Sequence, residues 1–126
     1  MHTLILIAVG GAIGSLLRFT ITELVVKTGF SMPWGTILVN LTGCFIIGLI
    51  WGVFNTLEIG YNTRLFVFVG LLGSFTTFST FALENFHLLR NEDIPFMVFN
   101  ISISNVAGIL LVFAGFYISK ILFRVS

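Results

Sequence analysis

Residues 65–83 read LFVFVGLLGSFTTFSTFAL, an uncharged run long enough to cross a bilayer as a helix. Its middle is unlike a lipid-facing helix. Within GSFTTFSTF, residues 73–81, five hydroxyl side chains and three phenylalanines stand together. A polar group in hydrocarbon costs several kcal/mol unless it finds a partner, so these residues must meet protein, water or an ion. Gly73 and Ser74 are expected to weaken the helix at midspan, and the β-branched Thr76, Thr77 and Thr80 to engage backbone carbonyls locally. Carbonyl oxygens freed there would be hard ligands, suited to sodium rather than to a thiophilic metal. Phe75, Phe78 and Phe81 repeat every three residues. Such a stripe is either plain packing or, with ring edges turned outward, a surface that faces an anion.

The rest of the chain reads the same way. Hydrophobic residues make up 57% and charged ones 9% of 126 residues, against roughly a quarter charged in soluble domains. The chain therefore belongs in a bilayer. A formal charge of +1 gives no reason to expect a nucleic-acid partner. The single cysteine, Cys44, excludes an intrachain disulfide. MHTLILIAVGG resembles a short signal core but has no basic leader, so a retained first helix is expected. That helix runs from residue 3 past Arg18 to about residue 26. A second is entered at Pro33 and leaves near Phe54, the third continues to Leu89, and a fourth enters at Pro95 within an uncharged run over 94–119. The links KTGFSM, NTLEIGYN and RNEDI are too short to fold separately. Residues 1–126 thus read as one all-α domain of four transmembrane helices, termini on one side.

The face holding the termini carries Arg64, Lys120 and Arg124; the other carries Lys27 and Arg90, with Arg18 if it snorkels. This near balance gives the positive-inside rule little to act on. Either packing decides orientation or both orientations are made. Four short helices leave little room for a private pathway, so a route along an interface between copies, most simply a dimer, is expected. Gly10, Gly11, Gly14 and Ser15, with Gly48 and Gly52, form small-residue pairs that serve either helix contact within one subunit or a subunit interface. Thr36, Asn40 and Gly43 share one helix face; Asn100, Ser104 and Gly108 share another, with Ser102 and Asn105 on a different side. Arg18 could snorkel, pair with an acid, or give a positive vestibule; Glu23 and Glu84 fall toward span ends. No arrangement of an enzyme is visible: no close carboxylate pair, no histidine beside a nucleophile, no phosphate loop.

Taken together, GGAIGSLLRF (10–19), PWGTILVNLTGCFIIG (33–48), GLLGSFTTFSTFALE (70–84) and NISISNVAG (100–108) resemble the Fluc (crcB) family of small fluoride channels over nearly the whole chain. The resemblance implies a break in helix three, an antiparallel dual-topology homodimer, and two passive fluoride pathways along it. It implies Phe78 and Phe81 as pathway phenylalanines, Asn40, Ser104, Thr77 and Thr80 as its polar groups, and Arg18 for vestibule charge or structure. It implies a structural sodium ion at the dimer centre, held by the backbone carbonyls of Gly73 and Thr76. The implied setting is a microbial plasma membrane, the inner one in a Gram-negative cell, where the channel lowers cytoplasmic fluoride. Two departures from the family pattern stand out: Ser74 where many members have a second glycine, and Asn100 where some have an aromatic hydroxyl. Two rival readings are a proton-coupled small multidrug exporter, which needs a membrane-embedded carboxylate, and a non-transporting assembly protein.

Overall fold

The computed structural model describes residues 1–123; Arg124, counted above among the charges, lies outside them. Four helical stretches are long and apolar enough to span a membrane: His2–Lys27, Met32–Thr56, Tyr61–Arg90 and Ile94–Leu122. The first two are continuous helices, α1 (His2–Lys27) and α2 (Met32–Thr56). Pro33 sits in the first turn of α2, where its missing N–H has no intrahelical partner to lose. Between them Gly29 adopts φ 95°, a left-handed conformation that a side chain would oppose.

The third span is composite. A turn of helix, α3 (Tyr61–Arg64), passes into a π-helical stretch, Leu65–Leu72, and then into the short α4 (Gly73–Phe75). Thr76 and Thr77 are extended, at φ −84°, ψ 154° and φ −147°, ψ 124°, before α5 (Phe78–Arg90) resumes. Helical geometry thus persists through Gly73, at φ −62°, ψ −30°, where the sequence predicts weakening. The departure falls on two β-branched residues instead, which extended backbone suits better than helix does. The fourth span is α6 (Ile94–Ser102), a π-helical turn over Ile103–Ala107, and α7 (Gly108–Leu122). Asp93 caps α6 by accepting from Phe96 N–H at 3.3 Å.

Glycines set how closely these helices approach. α1 lies against the third span through Gly10 and Gly14, where an added Cβ would meet the backbone of Phe66, Gly70 and Leu71. α2 lies against α7 through Gly48 and Gly115, each facing the other helix's backbone at Val112 and Phe45. Of the two uses open to these small residues, the one realised within the chain is helix contact inside one subunit. Little bulk is enclosed: among the described residues the fully buried larger side chains are Val39, Asn100 and Ser119. Aromatic clusters mark both ends of α2. Trp34 meets Phe96 and Phe99 at one end, and Trp51 meets Phe68 at the other. At 1.5 Å per residue the two indoles stand about 26 Å apart along the axis, near the thickness of a bilayer's hydrocarbon core.

Candidate functional site

The extended pair Thr76–Thr77 is held by a side chain from another helix. Asn40 of α2 donates from Nδ2 to the Thr77 carbonyl at 3.0 Å, and its Oδ1 accepts from Thr77 N–H at 2.8 Å. One amide thus supplies both halves of the pairing that a neighbouring strand would offer an extended residue. Thr77 also begins α5: its Oγ1 accepts from Thr80 N–H at 3.3 Å. The Thr77 hydroxyl then donates to Thr80 Oγ1 at 3.2 Å.

These bonds redirect the helical ladder. In a continuous helix Thr77 N–H would bond the Gly73 carbonyl, and Thr80 N–H the Thr76 carbonyl. Here the first goes to Asn40 Oδ1 and the second to Thr77 Oγ1. Of the carbonyls on either side, that of Leu72 keeps its helical donor and gains a hydroxyl, and that of Ser74 takes a donor from another helix. Leu72 C=O receives Thr76 N–H and Thr76 Oγ1, both at 3.1 Å, and Ser74 C=O receives Arg18 Nε at 3.2 Å. Arg18, open to three readings in sequence, therefore reaches inward to the backbone of the third span. Gly43 makes room for this arrangement, since a Cβ there would overlap the methyl group of Thr76.

Two cavities meet at Thr77. The first, of about 280 Å³, is lined by Asn40, Thr76, Thr77, Phe78, Phe81 and Ser104, among others. The second, of about 270 Å³, is lined by Arg18, Thr22, Thr36, Thr77 and Thr80, among others. The structure thus brings Asn40, Thr77, Phe78, Phe81 and Ser104 together, and puts Thr80 and Arg18 on the other side of Thr77. Gly73 lines neither cavity. The rings of Phe78 and Phe81 lie 5.6 Å apart at 47°. Their settings differ: Phe81 is 8% exposed, whereas Phe78 is 77% exposed.

Three features were not legible beforehand. Asn105, assigned to a different side from Ser104, lines the first cavity with it. Both lie in the π-helical turn Ile103–Ala107, whose wider winding breaks the 3.6-residue spacing on which that assignment rests. Glu84, read as lying toward a span end, is buried; its Oε1 accepts from Thr36 Oγ1 at 2.6 Å and its Oε2 has no partner among the described residues. Its position four residues after Thr80 and three after Phe81 is the signal that could have placed it inward. Asn85, not singled out at all, is buried and bonded to Asn100.

Four spanning helices, with amides, hydroxyls and a carboxylate gathered inside them, define a multi-pass membrane protein with a polar interior. The family described as CrcB-like protein, Camphor Resistance (CrcB), matches residues 5–116, and the chain belongs to that family. It is 39% identical over 121 residues to the "Fluoride-specific ion channel FluC" of Parabacteroides distasonis, covering 95% of this chain and 94% of that relative. It is 40% identical over 126 residues to the protein of the same name from Desulfotalea psychrophila, covering 96% and 95%. Against that of Phocaeicola vulgatus it is 40% identical over 121 residues, covering 95% and 100%.

Proposed function

We propose that the chain is a passive, fluoride-selective channel that works as an antiparallel homodimer with two pathways and lowers cytoplasmic fluoride. The observation that carries this reading is the first cavity. Amide, hydroxyl and phenyl groups line it, yet its rim, with the exposed Asn105 amide and the 77% exposed Phe78, is uncovered on the flank of a membrane protein. Polar groups left against lipid are costly, so a second copy covering this face would complete the pathway. The names of the relatives supply the ion.

The extended Thr76–Thr77 is the break in helix three, and the whole chain acts as one four-helix channel domain. A small anion entering the cavity loses water, a penalty of tens of kcal/mol in apolar surroundings if nothing replaces it. Replacement is serial and weak. Asn40 keeps one Nδ2 hydrogen beyond its bond to Thr77, and the Thr80 hydroxyl, already accepting from Thr77, has its own hydrogen to give. Ring edges of Phe78 and Phe81 face the ion without trapping it. Arg18 adds positive charge beside the second cavity, drawing anions to its mouth. Fluoride, being smaller, gains more than chloride from each donor.

Passive current through liposomes tests this. A fluoride current indifferent to a pH gradient at fixed fluoride gradient supports the channel; no current overturns it. Obligatory proton exchange would favour the exporter, a reading that draws on the buried Glu84 carboxylate.

Phe78→Ile and Phe81→Ile keep apolar bulk and remove the ring edge. Flux is expected to fall about tenfold in each, from the worth of one aromatic edge contact, while the oligomer survives on gel filtration. Unchanged flux in either would remove that ring from the pathway.

A structural sodium fits the carbonyls of Gly73 and Thr76, whose helical donors, Thr77 N–H and Thr80 N–H, bond elsewhere. Bound there, the ion would tie the two breaks together as an inert cross-link, and two carbonyls per copy leave room for a second copy's ligands. Replacing sodium on both faces with a large organic cation is expected to reduce fluoride flux and lower thermal stability; neither change occurring would remove the ion from the structure.

A further inference from the structure

Beyond the groups that touch the pathway, we propose that Asn85 is a positioning residue: through Asn100 it holds the hydroxyl hydrogen of Ser104 out of the cavity. The inference rests on the channel reading above and concerns which face of Ser104 the ion meets.

A chain of hydrogen bonds with a fixed direction carries it. The Phe81 carbonyl can only accept, so Asn85 must turn Nδ2 toward it, at 2.8 Å. Asn85 Oδ1 then faces Asn100 and receives its Nδ2 at 3.3 Å. Asn100 is left presenting Oδ1 to Ser104, and two oxygens at 3.1 Å need a proton between them. Only the serine can supply it. The amide orientations follow from this network, each bond excluding the flipped alternative for the next. Asn100 is fully buried and Asn85 is 8% exposed, so bulk water does not substitute for either amide. Such chains reinforce one another in a low-dielectric interior.

The consequence is local and electrostatic. Ser104 lines the first cavity beside Asn40 and Phe78. With its hydrogen committed to Asn100, it shows the cavity oxygen lone pairs, which repel an anion. Fluoride gains a donor from Ser104 only after the hydroxyl rotates and gives up its bond to Asn100 Oδ1. The amide pair is a latch on that donor.

Removing the latch is tested with reconstituted full-length protein and fluoride as the probe. Asn85→Leu frees the Asn100 amide to turn over, so Ser104 can accept from it and donate into the cavity. The half-saturating fluoride concentration is expected to fall about fivefold, the equivalent of one net hydrogen bond. In a Ser104→Ala background the same substitution should leave it unmoved, which a merely structural role of Asn85 would not produce. Should Asn85→Leu fail to fold, Asn100→Leu removes the acceptor itself and carries the same two expectations. No shift, or an equal shift with and without the Ser104 hydroxyl, overturns the latch. A wild type without fluoride current overturns the channel reading and the latch with it; a conducting wild type with a failed cycle overturns the latch alone.

Discussion

Asn40→Leu is expected to abolish fluoride conduction and to lower stability by about 2–4 kcal/mol. Leucine is close in size, so volume is not what changes. What is lost is the amide that holds both the N–H and the C=O of Thr77, at 2.8 and 3.0 Å. Those two peptide groups are partly buried within a membrane span, and leaving each unpaired costs about 1–3 kcal/mol. The extended backbone then has reason to return to helix. Thr77 N–H would go back to the Gly73 carbonyl, and the wall between the two cavities would rotate. Asn40→Asp separates the two halves of the clamp: a carboxylate still accepts from Thr77 N–H but gives nothing to its C=O. An intermediate loss of stability is expected there. Thermal unfolding in detergent and liposome flux check both variants. Full conduction by Asn40→Leu would mean that Thr77 is held some other way.

Gly48→Leu should be worse tolerated still, at about 3 kcal/mol or more of lost stability, with failure to assemble. A Cβ at Gly48 would overlap the Val112 carbonyl, and one at Gly115 would overlap that of Phe45. These neighbours are backbone, so no rotamer change relieves the overlap; α2 and α7 must move apart. Ile47 and Ser104, on these same two spans, both line the first cavity, so its shape would go with them. Gly11 provides the contrast, since a Cβ there would meet only the Ser74 hydroxyl, at 3.2 Å. Gly11→Ala should therefore cost little, because that side chain can turn aside. Gel filtration and melting temperature distinguish the pair; equal behaviour would show that close backbone approach is not what these glycines provide.

Much of the site could be read from residue types alone, and its failures have identifiable causes. Helix-face spacing brought Asn100 and Ser104 together correctly, since they bond at 3.1 Å. The same spacing failed one residue later at Asn105, because the π-helical turn inserts an extra step that no propensity announces. Glycine flexibility pointed to Gly73 and Ser74 as the weak point of the third span. The extended residues are Thr76 and Thr77, chosen by an amide 37 positions away in sequence. Glu84 looked peripheral by its position along the chain, yet Thr36 reaches it across two spans.

Composition and the lengths of uncharged runs by themselves determined that this is an all-helical membrane protein of four spans, because a bilayer admits few other solutions for a chain so poor in charge. They also determined that polar residues at 73–81 must have partners, since hydrocarbon offers none. Which partner each one takes was decided only by the tertiary structure. Asn40 for Thr77, Arg18 for Ser74, and Asn85 for Asn100 are pairings between different spans. Hydrogen bonds of this kind depend on where helices cross to within a fraction of an ångström, and that is set by glycine contacts between backbones rather than by any local pattern.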